Sequence, residues 1–363
     1  MRGSIVICAP RTGSTLLSRV FSSHPQVLSL SEFFSCLSPT GAFRKRQMDG
    51  RRLWKLLSMP TKLARKMAVL DVAPNEFLYN KLPSRSFDTK NLPPILNIVL
   101  STISTEPDSV YFSLEQSIPQ LPMMKLSELY ESVFGAIATE VYQEKKEVWI
   151  ERSGGSIMYL REILNDFPSC RYIFLYRDGR DTALAWCNFA PTRFLLNLSK
   201  LLPGSAESAL GSSRIRHWLA PIASYVMATF FPLEYLLNRS VDAEHSARVW
   251  GAAIGAGISV KQLSDVKIYV IFYENLCADP KTELTKLCDF LDVSANTAWL
   301  ESVTTDIKVL PSRYNNLDTK SRIRLDQLVR PAQEATLRFL TQHATNFQEI
   351  NIPKSYNTWT DKG

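Results

Sequence analysis

Four residues near the start of the chain could bind an anion: Arg11, Gly13, Ser14 and Thr15. They follow the apolar run of residues 5–8 (IVIC), which predicts a buried strand of a parallel sheet. Pro10 ends this strand because it has no N–H for the ladder, and Gly13 permits a tight turn into a helix. Free N–H groups at a helix start, beside an arginine, are typical of a phosphate or sulfate site. The alternative interpretation is an ordinary turn glycine next to a surface charge.

The turn differs from the loop of nucleoside triphosphatases, which has the pattern GxxxxGK[ST]. The first glycine is missing here, and Gly13 is followed by Ser14 and Thr15 without the lysine. An ordinary ATP or GTP site is therefore not expected. A P-loop kinase and an inactive or divergent nucleotide-binding protein remain as alternatives.

A second arginine stands in a similar position. Arg177 follows the apolar run of residues 171–176 and precedes a predicted helix that begins at Gly179. Guanidinium groups bind phosphate through paired hydrogen bonds, so Arg177 is a candidate phosphate ligand. Arg180 and Asp181, in the same turn, are predicted to form a structural pair.

Five segments, in this order, resemble the sulfotransferase family: PRTGSTLL (10–17), SSHPQVLSLSEF (22–33), VWIERSGGS (148–156), YRDGRDTALAW (176–186) and VIFYENLCADPKTELTKLCDFL (270–291). The loop is most similar to the RTGST type of the tyrosylprotein and carbohydrate branch. The resemblance implies transfer of a sulfonyl group from 3′-phosphoadenosine 5′-phosphosulfate (PAPS), with 3′-phosphoadenosine 5′-phosphate (PAP) as product and no metal. The acceptor would be a hydroxyl, or an amine, of a small molecule, natural product, carbohydrate or lipid.

The same resemblance assigns the donor site. The backbone N–H groups of Thr12, Gly13, Ser14, Thr15 and Leu16 would hold the 5′-phosphosulfate. Arg11 would stabilise the leaving oxygen, where a fixed cation is most valuable in the transition state. Arg177 would bind the 3′-phosphate, and Tyr273 would pack near adenine. One position departs from the family, because Ala185 stands where a serine is usual.

The loop after Thr304 is a candidate source of a third cation for the phosphates of the donor, because it loosely resembles a segment that folds over the donor. On that alignment Lys320 would lie near a phosphate, with Thr305 as a hydroxyl contact and Arg313 as the alternative cation. A plain surface loop is the competing interpretation.

The acceptor hydroxyl needs a proton acceptor, and the resemblance assigns this role to Glu32. The alternative is that Glu32 only stabilises a helix start. His24 is the rival base, although its place at the end of a helix favours a structural role. Arg152 would face the sulfonyl group or an acceptor carboxylate, with Glu151 as its orienting partner. Ser153 and Ser156 are predicted to cap the next helix.

Composition narrows the class of protein. The chain has 363 residues, 45% of them hydrophobic, and a formal net charge of +7, which suits a polyanionic donor. Six cysteines without short paired spacing predict free thiols, and four scattered histidines predict no metal. The basic segment 43–66 could contact an acidic acceptor, lipid or nucleic acid, or be a solvated face. No nucleic-acid motif accompanies it, so no nucleic-acid partner is predicted.

The order of elements predicts an α/β, P-loop-like, three-layer fold with a central parallel sheet and long helical insertions. Strands are predicted near 4–9, 147–151, 171–176 and 267–273, and helices at 13–23, 122–145, 156–166, 179–189, 241–264 and 281–292. Residues 1–363 would form a single domain. Insertions at about 34–121 and 190–240 would shape the acceptor site.

The apolar segment Leu219 to Leu237 has three interpretations: buried helices, an apolar lid over the acceptor, or a membrane-associated helix. Two prolines and Glu234 argue against a spanning helix. The first predicted strand starts almost at Met1, which leaves no room for a signal peptide and predicts a cytoplasmic protein.

Overall fold

The computed structural model describes residues 1–37, 43, 45–72, 77–201, 225–259, 268–345, 348 and 350–357. Its strands are β1 (Arg2–Cys8), β2 (Val27–Ser31), β3 (Gln47–Met48), β4 (Met124–Lys125), β5 (Val148–Arg152), β6 (Arg171–Tyr176) and β7 (Ile268–Phe272). Five of them form one sheet in the order β2-β5-β1-β6-β7, while β3 and β4 make a short antiparallel pair.

All neighbours in the five-stranded sheet are parallel, with β1 at its centre. The register places Val6 of β1 between Arg152 of β5 and Ile173 of β6. Because the strands are parallel, their carboxyl ends meet at one edge of the sheet. This edge is where α/β sheets usually bind ligands.

Helices cover both faces of the sheet. Their bounds are α1 (Ser14–Ser22), α2 (Phe33–Leu37), α3 (Gly50–Ser58), α4 (Lys62–Val69), α5 (Ser101–Ile103), α6 (Pro107–Ser117), α7 (Leu126–Val141), α8 (Leu160–Asp166), α9 (Gly179–Cys187), α10 (Ala190–Leu201), α11 (Leu233–Asn238), α12 (Ala243–Ile258), α13 (Tyr273–Ala278), α14 (Pro280–Leu291), α15 (Thr297–Thr304) and α16 (Thr319–His343). Residues 225–230 are also helical, and Ile95–Leu100 forms a π-helix. Short 3₁₀ turns lie at Tyr79–Lys81, Ile118–Gln120, Ser156–Tyr159, Tyr314–Asn316 and Lys354–Asn357.

The core has two parts because β1 is buried on both faces. Ile5 and Ile7 belong to one apolar cluster, and Val6 and Cys8 belong to the other. This alternation is what a strand with a period of two residues produces when helices cover both faces. The predicted α/β architecture, with a central parallel sheet between helical layers, is therefore confirmed.

The predicted elements are present with shifted ends, for example Leu126–Val141 for the helix predicted at 122–145, but the prediction lacked β2, the pair β3 and β4, and the long helix α16. The four predicted strands correspond to β1, β5, β6 and β7, but β2 was expected only as a short apolar return segment. All five residues of β2 are buried, and the hydroxyl of Ser29 donates to the carbonyl of Ser18. The internal hydrogen bond of Ser29 allows this polar-looking run to form the buried edge strand of the sheet. The helix predicted at 241–264 ends at Ile258, and its last residues lie outside the described part of the chain.

The two insertions pack against each other. A third apolar cluster, apart from the two sheet-facing ones, joins Leu63 and Val72 of the first insertion to Phe194, Leu236 and Leu237 of the second. The clustering depends on α4, α10 and α11, whose apolar residues recur at helical spacing. The third cluster therefore links parts of the two insertions, whereas other buried residues of the first insertion, such as Leu53 and Leu96, pack in the main core.

The apolar segment 219–237 is described only from residue 225 onward. Pro232 separates the helical stretch 225–230 from α11, in which Leu233 and Leu236 are buried, whereas Phe230 is 75% exposed. Over the described ranges, no helix combines the length and apolar character needed to cross a bilayer.

Candidate active site

A cleft of about 370 Å³ opens at the carboxyl edge of the sheet. Each of the five parallel strands delivers at least one polar or aromatic residue to it, either as its last residue or just beyond its end. These residues are Arg11, Gly13, Ser14 and Thr15 after β1, Glu32 after β2, Arg152 at the end of β5, Arg177 after β6 and Tyr273 after β7. The topology therefore brings together eight of the residues that were selected from the sequence.

The turn after β1 is held in an uncommon backbone conformation. Arg11 has φ 66° and Gly13 has φ 95°, both in the left-handed region. The Thr12 hydroxyl donates to the carbonyl of Ala9 at 2.9 Å, and the indole of Trp186 donates to the carbonyl of Pro10 at 2.8 Å. These bonds leave the turn little freedom, so the helix start has a fixed direction.

Helix α1 presents its N-terminus to the cleft. No side chain caps this terminus, and the first amides of a helix lack acceptors within the helix itself. The N–H of Leu16 is already bonded to the carbonyl of Gly13 at 3.0 Å, and Leu16 and Thr12 do not line the cleft. Of the predicted set, Gly13, Ser14 and Thr15 are therefore the residues that reach the cleft.

The side chain of Arg177 stacks on the ring of Tyr273, and the backbone of Gly13 packs against the same ring. The guanidinium of Arg177 lies 4.7 Å from the centre of the Tyr273 ring. A Cβ atom at Gly13 would lie 2.2 Å from Cδ2 of the same ring, so only glycine fits against it. Burial raises the pKa of Tyr273 to about 12, which keeps the phenol neutral at physiological pH.

Arg177 is also tied directly to the first turn. Its Nη1 donates to the carbonyl of Arg11 at 3.3 Å. Its Nε is buried without a hydrogen-bond partner among the residues that the structure describes. The ends of β1 and β6 thus bring the start of α1 and the side chain of Arg177 into one cleft.

The Arg11 side chain lines the cleft beside Phe189. It is exposed, and its guanidinium lies 4.7 Å from the ring centre of Phe189, between α9 and α10. Cation–π contacts of this kind restrict an arginine without neutralising its charge. Phe189 was not identified from the sequence, because nothing in the spacing links it to Arg11.

Glu32 and Arg152 form a buried ion pair in the cleft, with side chains 12% and 4% exposed. The Glu32 carboxylate also accepts the N–H of Gly154, at 2.9 Å for Oε1 and 3.1 Å for Oε2. Arg152 Nε donates to the hydroxyl of Ser18 at 2.8 Å. Glu32 has φ 60°, a strained conformation that directs its side chain toward Arg152 and Gly154.

The predicted orienting partner of Arg152 is wrong. Glu151 lies on the opposite face of β5, where its Oε1 accepts the Ser153 hydroxyl at 2.5 Å and the N–H of Phe34 at 3.2 Å. Burial raises the pKa of Glu151 to about 8. Neighbouring strand residues face opposite sides, so Arg152 pairs across to β2 instead.

The predicted caps at Ser153 and Ser156 are also wrong. No side chain caps the 3₁₀ turn that begins at Ser156. The Ser156 hydroxyl instead donates to the carbonyl of Val6 at 2.7 Å and accepts the N–H of Cys8 at 2.9 Å. It therefore joins this turn to β1, beneath the anion-binding loop.

His24 lies apart from the other candidates. It follows the far end of α1, about 13 Å along a nine-residue helix from the cleft. Its Nδ1 accepts the N–H of Gln26 at 3.1 Å, and its Nε2 lies 3.1 Å from the carbonyl of Ser294. Burial lowers the pKa of His24. The structural interpretation fits this position, whereas the catalytic one does not.

The three candidates from the late loop do not line the cleft: Thr305, Arg313 and Lys320. The Thr305 hydroxyl donates to the carbonyl of Glu301, and Arg313 uses its N–H to bind Asp181 at 2.7 Å. Lys320 is exposed near the start of α16. The loop nevertheless reaches the cleft through Leu310.

Arg180 is structural, as predicted, but its partner is not Asp181. It binds Asp178 and, at 3.5 Å, Asp326. Asp181 accepts the N–H groups of Arg313 and Tyr314 at 2.7 and 3.2 Å. Within the ranges that the structure describes, no group of three or more His, Cys, Asp or Glu residues is arranged to hold a metal ion.

Comparisons with solved structures found several sulfotransferases of low identity. A sulfotransferase domain from the curacin biosynthetic pathway is 15% identical, with 94% of this chain and 97% of that chain covered and a TM-score of 0.43. A sulfotransferase domain from the Synechococcus PCC 7002 olefin synthase is 16% identical, with coverages of 96% and 95% and a TM-score of 0.39. The sulfotransferase STF9 from Mycobacterium avium is 14% identical, with coverages of 92% and 76% and a TM-score of 0.37.

No curated protein matches the chain. Two family profiles do match it. The profile described as "Sulfotransferase domain" covers residues 158–338. The profile described as "Sulfotransferase family" covers residues 5–235, well over half of the chain, including the anion-binding turn, Glu32, Arg152 and Arg177. The chain, with its P-loop-like α/β fold, therefore belongs to the sulfotransferase family.

Proposed function

We propose that this protein transfers a sulfonyl group from PAPS to a hydroxyl group of a small-molecule acceptor. The observation that carries the proposal is the convergence of the α1 N-terminus and Arg177 on one cleft, with Tyr273 between them. One molecule with two separated anionic groups and an aromatic base can contact all three elements. PAPS has this composition.

The anionic groups of the donor match the hydrogen-bond donors of the cleft that lack a partner in the described part of the structure. The uncapped amides at Gly13, Ser14 and Thr15 would hold the 5′-phosphosulfate, because helix N-termini favour anions. The buried, unpartnered Nε of Arg177 would find an acceptor in the 3′-phosphate. Tyr273 lines the same cleft, so the adenine would pack near this residue.

Arg11 would stabilise the charge that develops during transfer. As the bond between sulfur and the bridging oxygen breaks, negative charge grows on the leaving phosphate. A guanidinium stays charged at all relevant pH values, so it stabilises that oxygen without giving up a proton. Its contact with Phe189 keeps it at the cleft without a competing anion.

Glu32 would accept the proton of the acceptor. The acceptor oxygen forms its bond to sulfur, the bridging S–O bond breaks, PAP leaves and the hydroxyl proton passes to the Glu32 carboxylate. Arg152 and the N–H of Gly154 hold this carboxylate in place. A carboxylate has about four lone-pair sites, so it can still accept a bond from the acceptor hydroxyl. A glutamate beside an RTGST-type loop also supports the tyrosylprotein and carbohydrate-type branch.

Titration calorimetry with PAP tests the donor site. The wild-type protein should bind PAP, and Arg177→Met should weaken binding by roughly 10- to 100-fold, the range for a lost charge-assisted contact. Arg338→Met, on an arginine that is exposed on α16, is the matched control and should bind like wild type. Transfer of ³⁵S from labelled PAPS is measured in parallel.

The outcomes separate the alternatives. Preferential binding of ATP over PAP would favour a kinase and contradict the proposal. Binding of PAP without label transfer to any component of a metabolite extract would identify an inactive nucleotide-binding protein.

A further inference from the structure

We propose that the acceptor is a neutral apolar alcohol, aliphatic or aromatic, bound against the apolar wall of the cleft. This inference rests on the proposed function. The apolar wall consists of the six large apolar side chains that line the cleft in addition to the aromatic ring of Tyr273: Phe77, Ile98, Met158, Phe189, Leu195 and Leu310.

Three of the six side chains of the apolar wall come from the two insertions. Phe77 and Ile98 belong to the first, and Leu195 belongs to the second. Ile98 lies in the π-helix Ile95–Leu100, and π-helical turns are rare and frequently occur at functional sites. Phe77 also packs against the third apolar cluster, which anchors it. The wall is therefore a supported surface rather than a loose set of side chains.

Three successive residues of α10 have different surroundings: two are buried in apolar clusters, and the one between them lines the cleft. Phe194 is buried in the third cluster, and Leu196 is buried in the main core. Leu195, between them, lines the cleft and remains 47% exposed. Leu310 also lines the cleft and is 60% exposed. An apolar ligand would cover both leucines and gain the hydrophobic free energy of their burial.

Each charged side chain that the structure describes along the cleft already has a partner or a role toward the donor, so none is left to bind an ionic acceptor. In the described lining, Arg177 is bonded to the turn after β1 and Arg11 stacks on Phe189, and both are assigned to the donor, while Glu32 and Arg152 pair with each other. An acidic peptide would need a further cation, and an amine would need a free carboxylate. Beyond these four residues, the described lining holds neither.

The hydroxyls of the lining also argue against a sugar. Thr192 donates its hydroxyl to the carbonyls of Trp186 and Phe189, so its proton is already used. Ser35, three residues after Glu32, is the side-chain hydroxyl of the described lining that remains for an acceptor near the base. A sugar would bury several hydroxyls against apolar carbon, which costs free energy for each one left unpaired. An acceptor with a single alcohol group matches the single hydroxyl, that of Ser35, that remains for it in the described lining.

The test is a substrate series with ³⁵S-labelled PAPS. Straight-chain primary alcohols from butanol to decanol and 1-naphthol are compared with glucose and an acidic tyrosine peptide. The kcat/KM value should rise roughly fourfold for each added CH₂ until the cleft is filled, as expected for burial of one methylene group. Values that do not depend on chain length, or a better kcat/KM for glucose or the peptide, would overturn the proposal.

Two exposed leucines provide variants that should fold normally. Leu195→Ser and Leu310→Ser should each lower kcat/KM for decanol roughly tenfold, as expected for losing about half of a leucine's burial. Leu201→Ser on the same helix and Val309→Ser on the same loop are matched controls, because both residues are exposed but do not line the cleft. Equal effects of variants and controls would contradict the assignment.

PAP binding separates failure of this inference from failure of the proposed function. If PAP does not bind, the donor site itself is wrong. If PAP binds, but 1-naphthol neither binds the protein–PAP complex in calorimetry nor becomes sulfated, the acceptor class is wrong and the donor site stands.

Discussion

The contact between Gly13 and Tyr273 predicts a severe effect for one added methyl group. In Gly13→Ala, the new Cβ would lie 2.2 Å from a Tyr273 ring carbon, whereas ordinary carbon contacts are about 3.5–4.0 Å. Moreover, φ 95° costs an alanine roughly 1–2 kcal/mol. Displacing a packed ring adds about 1–3 kcal/mol. The free energy of unfolding should therefore fall by roughly 2–5 kcal/mol.

Donor binding should fall with it. The ring can relieve the collision only by moving away from Gly13, which also removes the surface under Arg177. Loss of one charge-assisted contact to a phosphate weakens binding at least about tenfold. Urea denaturation measures the first effect, and calorimetry with PAP measures the second.

Two comparisons isolate the cause. In a Tyr273→Ala background the collision is absent, so Gly13→Ala should cost only the roughly 1–2 kcal/mol of backbone strain. Gly135→Ala, in the open middle of α7 with no atom within 4 Å, should be neutral or stabilising by up to about 1 kcal/mol. The reasoning is refuted if the Gly13→Ala variant has the wild-type free energy of unfolding and the wild-type affinity for PAP. It is also refuted if the substitution lowers the free energy of unfolding equally with and without Tyr273.

Three further predictions concern the carboxylates beside the cleft. Glu32→Gln should lower kcat by about 10²–10⁴ and leave the PAP Kd within a factor of two to three, as steady-state kinetics and calorimetry can check; unchanged kcat would remove its role as base. Arg152→Met leaves Glu32 buried without its cation and should lower the free energy of unfolding by about 3–5 kcal/mol, whereas the double variant Glu32→Met/Arg152→Met should recover much of this loss in urea denaturation. A double variant no more stable than Arg152→Met would argue against the ion pair. Burial raises the pKa of Glu151 from 4.5 to about 8, so the native protein holds a proton that the unfolded chain releases, and stability should fall as pH rises from 4.5 to 8. Glu151→Gln should flatten that slope, and equal slopes in the two proteins would disprove the assignment.

The conformation of the turn after β1 could be predicted because all its information is local. An apolar strand, a proline, a glycine and a helix start lie within residues 5–17, and the structure has each of them. The convergence with Arg177 and Tyr273 followed from topology, since parallel strands end at one edge. These parts of the site depend on rules that act over short stretches of chain.

The ion pair of Glu32 and Arg152 could not be read from the sequence because it depends on the register of β2 and β5. Ser31 lies opposite Arg152 in that register, and the short alternating run of β2 gave no clear strand signal. The expected partnership of Glu151 with Arg152 conflicted with strand alternation, which places neighbours on opposite faces. The error lay in treating neighbours in sequence as neighbours in space.

The apolar wall was beyond sequence reasoning for a different reason. Phe77, Leu195 and Leu310 are distant in the chain and carry no motif. Only the packing of the insertions places them at one cleft. Apolar residues at helical spacing predict burial, but they do not show which of them face a ligand.

The separation of the third apolar cluster from the two clusters that face the sheet has a consequence for how the protein can vary. Leu63, Leu236 and Leu237 belong to that small cluster and to neither of the two sheet-facing ones. Substitutions among these three leucines should therefore change the packing beside the cleft more than the ends of the strands. Under the proposed function, the preference for an acceptor can then change without rebuilding the donor site.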